Sequence, residues 1–145
     1  MQWKDWLDLI IKICAGFGGL GFFIAALNYR SQTKIKRAEW LKSLFEKFFE
    51  TPGYKEVRIW LDYGKLHEKL TIANETERMK NEEQFTDFLN FFEFIGIFSS
   101  EKLLTYKQVN NVFDYYLKKI KADPDCMGWI RQYGFEKLEA MLKKI

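Results

Sequence analysis

Gly16, Gly18 and Gly21 of GFGGLG complete a G-x-G-x-x-G, the pattern in this chain that could cradle a phosphate. Such glycines let backbone approach a pyrophosphate at a helix N-terminus, and they need a strand before them and a βαβ unit around them. Here WKDWLDLIIKI precedes the run, with Trp6, Ile10 and Ile13 at helical spacing, and no strand pattern follows. The glycines are therefore helix surface rather than nucleotide loop. Other reactive groups are sparse. One histidine, His67, and two distant cysteines, Cys14 and Cys126, supply neither a zinc site nor a disulfide framework. The serines Ser31, Ser43, Ser99 and Ser100 stand in no nucleophile-elbow context, and Glu82 with Glu83 reads as an acidic helix start. No catalytic residue, metal or cofactor is expected, and the chain reads as a non-enzyme.

The polar groups that remain are of two kinds. Asn90 and Glu93 interrupt an aromatic run and, if buried, need partners; Arg37 or Arg58 is the expected partner of Glu93. Arg30, Lys34, Lys36 and Arg37 form a basic cluster with no acid until Glu39. It suits anionic lipid headgroups as a juxtamembrane collar. It also suits a phosphate-bearing nucleotide or oligonucleotide, with Trp40 nearby as a stacking ring.

These groups must be positioned by a chain of 145 residues, enough for one folded unit and an appendage. Aromatic residues make up 18% of it, so apolar surface for a core is ample, while a net charge of +3 is too small to name a partner. The appendage is the N-terminus. From Ile13 to Tyr29 no side chain is charged, and as a helix those residues extend about 25 Å, against a bilayer core of about 30 Å. With Leu9 to Ile11 added and Lys12 snorkelling, a single transmembrane helix is predicted from about Leu9 to Tyr29, with Trp3, Trp6 and Tyr29 near the interfaces. On a helical wheel Ile13, Phe17, Leu20, Phe23, Ile24 and Leu27 share one sector, while Ala15, Gly18, Gly19, Gly21 and Ala25 cluster on the other. Small residues let a second helix approach closely in lipid, and one span per chain makes a homo-oligomer the expected arrangement. Lys4 and Lys12 are balanced by Asp5 and Asp8 before the span, whereas the basic cluster follows it. The positive-inside rule then puts the N-terminus outside and the C-terminal part in the cytoplasm.

That division gives residues 1–30 as the membrane segment and 31–145 as an all-α cytoplasmic bundle. No Pro or Gly separates Tyr29 from Trp40, so the first helix runs on, with Leu41, Leu44, Phe45 and Phe48 as its apolar face. Thr51-Pro52 is read as the N-cap and first position of a second helix that carries Val57, Trp60 and Leu61. Residues 71–81 read as an exposed connection with an Asn74/Glu77 capping box, and the aromatic run 85–98 as a helix central to the bundle or in an interface. Thr105 and Gln108 suggest a second capping box before Val109, Val112, Phe113, Tyr116, Leu117 and Ile120; Asp123-Pro124 restarts the chain, and Phe135, Leu138 and Leu142 close it.

The order of features, RAEWLKSLFEKFFETPGYKEVR, NFFEFIGIF, YYLKKI and FEKLEAML behind a short membrane helix, resembles an uncharacterised family of small bacterial single-pass membrane proteins. Some similar proteins act as membrane effectors in anti-phage defence, including the Hailong type, in which a DNA oligomer holds a channel-like effector inactive. The resemblance implies a regulated, oligomeric channel-forming or membrane-perturbing effector in the bacterial inner membrane. It carries no site residue over. The competing expectation is a non-conducting membrane-tethered scaffold or sensor that binds a protein partner.

Overall fold

The computed structural model describes the backbone of residues 3–145 and side chains from Leu27 onward. Its described residues form seven α-helices and no strand, as the helical periodicities require. Two compact units divide the chain, Met1–Glu39 and Trp40–Ile145. The first helix, α1 (Trp3–Glu50), is continuous over 48 residues. Among the described residues no helix is long and apolar enough to cross a membrane. The side chains of the expected span fall outside the described ones except for Leu27, Asn28 and Tyr29, and those of the small-residue face of Ala15, Gly18, Gly19, Gly21 and Ala25 fall outside entirely.

In the second unit, α2 (Pro52–Asp62) starts where Thr51-Pro52 predicts, because proline at the first position loses no helical hydrogen bond. The Thr51 hydroxyl does not cap it. It donates instead to the Lys47 carbonyl at 2.6 Å, satisfying an acceptor at the end of α1. A short α3 (Leu66–Leu70) follows. The expected exposed connection over 71–81 narrows to 71–74, because the Asn74 side chain accepts from the Glu77 N–H at 3.0 Å and starts α4 (Glu75–Ser100) there. The Thr105/Gln108 capping box is complete in both directions and opens α5 (Tyr106–Ala122). Asp123 caps α6 (Pro124–Tyr133) by accepting from Cys126 N–H, and Gly134, at φ 78°, ends it in the left-handed conformation that glycine adopts without strain. The last helix is α7 (Glu136–Leu142).

α4 is the central element, packed by α2, α3, α5 and α7. It buries Phe85, Phe88, Leu89, Phe92 and Ile95 at three- and four-residue offsets, with Phe91 beside them. The apolar run is not buried all round, since Phe94 and Ile97 face solvent. Phe48 from α1 enters the middle of this layer. Its ring lies 5.1–5.7 Å from those of Phe88, Phe91, Phe92, Phe113 and Tyr116, mostly edge to face. Leu44 is buried with it, but Phe45, turned about 100° away, is exposed and rests on Phe49 with centroids 4.5 Å apart. The expected faces of α2, α5 and the C-terminal helix pack inward, with Val57, Trp60, Leu61, Val109, Phe113, Leu117, Ile120, Phe135, Leu138 and Leu142 all buried.

Candidate functional site

Two stripes of side chains face each other across an open groove of about 640 Å³. From α1 come Trp40, Ser43, Leu44 and Lys47; from α4 come Asp87, Asn90, Phe91, Phe94 and Phe98, with Tyr54 of α2 completing the lining. Both sets run at three- and four-residue offsets, so each is one edge of its helix. Leu44, Tyr54 and Phe91 are buried and form the floor, with the Tyr54 and Phe91 rings 5.5 Å apart. Trp40 stacks on Phe98 at 5.9 Å and Phe94 packs on Phe98 at 4.3 Å. Trp40 and Phe94 nevertheless keep 42% and 50% of their surface exposed.

The rim is polar and unengaged. The side chains of Ser43, Lys47, Asp87 and Asn90 are exposed and make no hydrogen bond or ion pair among the described residues. Burial, and next the Asp87 charge, pushes the Tyr54 hydroxyl above the usual phenol range, so Tyr54 stays a neutral donor. An aromatic floor with a few polar groups around it, at this volume, is the composition of a binding site. It holds no nucleophile beside a base, and among the described residues no cluster of His, Cys, Asp and Glu could hold a metal. Trp40 and Asn90 stand out in the sequence only separately. The matching stripes at 40/43/44/47 and 87/90/91/94/98 are the signal that joins them.

Of the polar groups expected to pair inside the bundle, Glu93 and Arg58 take other partners and Asn90 takes none among the described residues. Asn90 is exposed on the groove rim rather than buried. Glu93 is half-buried and accepts from the N–H groups of Lys137 and Leu138 at 3.0 and 2.7 Å, so its carboxylate caps the start of α7, where the helix dipole favours an anion. Arg58 is buried and donates through Nη1 to the Phe48 carbonyl and through Nη2 to that of Phe49 at 3.3 Å. Its guanidinium carbon lies 4.9 and 4.7 Å from the Phe48 and Phe49 ring centroids. Burial lowers the Arg58 pKa, opposed by Tyr116 and Asp62, and the group remains a cation at the carbonyl end of α1. Asn81, also buried, donates to the Lys69 carbonyl at 2.9 Å and ties off α3. Glu93, Arg58 and Asn81 therefore each serve a helix terminus on another element, where orphan backbone groups would otherwise be desolvated without partners.

In the first unit, Arg30, Lys34 and Lys36 are exposed and Arg37 is half-buried. Since α1 is helical throughout, Arg30, Lys34 and Arg37 share one face and Lys36 is turned to another. His67 is a surface residue, with its Nδ1 3.3 Å from the Asp125 carboxylate.

Cys126 is buried, and burial followed by the Asp123 charge drives its thiol pKa far up. Because the thiolate is the reactive form, a Cys14→Ser protein at pH 8 is expected to leave Ellman's reagent essentially unreacted until urea unfolds it, after which one thiol titrates. The folded state holds the proton, so this group's contribution to stability is present below the thiol's ordinary pKa and is lost as pH rises above it. Rapid labelling of the folded protein would refute the buried placement.

No family model matches the chain, and no curated protein or solved structure matches it significantly.

Proposed function

We propose that this chain is a membrane-anchored helical effector that self-associates through its N-terminal segment and perturbs or conducts across the bacterial inner membrane. In this reading the helical unit is cytoplasmic and regulates it. The observation that carries it is the uncharged run from Ile13 to Tyr29 followed at once by Arg30, Lys34, Lys36 and Arg37 on one unbroken helix. An apolar stretch closed by a basic collar is the pattern of a span with its following residues inside. The small residues Ala15, Gly18, Gly19, Gly21 and Ala25 supply the low-relief surface on which copies of that helix meet. The resemblance to defence effectors adds the setting, anti-phage defence, and regulation by a nucleic acid; the basic cluster suits such a regulator by its charge.

The test is flux. Nuclease-treated protein reconstituted into liposomes is expected to release a trapped ion-sensing dye, and Gly19→Ile to reduce release by on the order of tenfold, because a branched side chain holds neighbouring helices apart. Sealed liposomes from a verified oligomer would overturn the effector reading. Together with one stoichiometric protein partner in a pull-down, that outcome would support the membrane-tethered scaffold instead.

A further inference from the structure

We infer that the aromatic groove of the helical unit is the docking surface for the same groove on a second copy of this chain, related by a two-fold axis. The groove presents both halves of such a contact. It has an open hollow of about 640 Å³, and one ring of its wall, Phe94, is half exposed. Its charges are also both halves of a pair: Lys47 on the α1 side and Asp87 on the α4 side, each exposed and neither ion-paired among the described residues. In a two-fold contact residue i of one copy meets residue j of the other and the reverse, so a surface with one cation and one anion is complementary to itself. Lys47 then faces Asp87 of the second copy twice over, around a centre where Phe94 of each copy fills the groove of the other. Ser43 and Asn90 lie at the polar rim, where interfaces carry their hydrogen bonds.

This pairing deepens the self-association in the function proposed above and needs no conduction. Its test uses full-length protein in nanodiscs. In a Cys14→Ser, Asn90→Cys protein, a short flexible bis-maleimide is expected to join two copies through the groove rim, with Cys126 protected by burial. Lys47→Glu alone, or Asp87→Lys alone, sets like charges against each other and lowers the cross-linked yield by on the order of tenfold. An equal mixture of the two single variants restores it, since each half of the mixed dimer again pairs opposite charges. The restored product is expected to contain one copy of each variant, resolved by tags of different size. A mixture no better than the single variants, or a cross-link indifferent to both, overturns the proposal. Those results are what a groove built for a small molecule or for another protein would give. Sealed liposomes with the mixed-variant rescue intact would overturn the effector reading and leave the groove contact standing. Dye release without that rescue would do the opposite.

Discussion

Phe48→Ala is expected to cost the helical unit about 3–5 kcal/mol, read as a shift in the urea midpoint of its helical circular dichroism, and to unfold it near physiological temperature. Phe48 is fully buried, and seven other rings lie within 6.5 Å of its centroid, from α1, α2, α4 and α5. Truncation removes those ring contacts at once and leaves a hole that four helices would have to close together. It also takes away one of the two rings that flank the buried Arg58 guanidinium, 4.9 Å from the Phe48 centroid. The loss there is electrostatic as well as apolar. Phe48→Leu keeps most of the volume and is expected to cost about 1–2 kcal/mol, so the ratio of the two separates filling from ring geometry. A change below about 1 kcal/mol for Phe48→Ala would mean that this ring is not at the centre of the core.

The second large effect is a reversal of sign between two glycines on helices. Alanine ordinarily stabilises a helix interior by about 1 kcal/mol relative to glycine. At Gly128 of α6 an added Cβ meets nothing within 4 Å, so Gly128→Ala is expected to stabilise by about 0.5–1 kcal/mol. At Gly96 of α4 the same Cβ would lie 2.8 Å from the Lys137 carbonyl carbon and 2.9 Å from its Cβ and oxygen. That is backbone, which cannot swing aside as a side-chain tip can. The clash falls on the residue whose N–H donates to Glu93 at 3.0 Å, so moving Lys137 away also strains the cap of α7. Overpacking is expected to outweigh propensity, with Gly96→Ala destabilising by about 1–3 kcal/mol in the same urea melts. Equal effects at the two positions would show that α4 and α7 do not approach closely there.

Residues 96 and 137 show where sequence reasoning stops. Gly96 sits in the run NFFEFIGIF, and nothing local separates it from Gly128 as a tolerant or intolerant position. The helix starts were legible, because a cap is a local bond. Asn74 with Glu77, Thr105 with Gln108, and Asp123 before Pro124 each close over three residues or fewer. The buried faces of α2 and α5 were legible for the same reason, since periodicity reports which side of one helix is apolar.

Partners across the fold were not. Glu93 reads as the partner of Arg37 or Arg58 because a buried carboxylate calls for an opposite charge. The structure sends Glu93 to the backbone at the start of α7 and Arg58 to that at the end of α1 instead. Phe45 shares the periodic apolar face of Leu44 and Phe48 yet faces solvent, and Phe94, in a run read as bundle centre or interface, is exposed too, because periodicity states a preference and the packing of neighbours decides whether it is met.

By itself, then, the sequence determined an all-helical chain, the starts of most of its helices, their inward faces and an uncharged N-terminal run ahead of a basic cluster. These follow from interactions within about four residues along one helix. Tertiary structure alone decided the groove between α1 and α4, the side chains that tie off distant helix ends, and the intolerance of Gly96. Each depends on which surface another element brings within reach, as Glu93 and Lys137 meet across 44 positions of sequence.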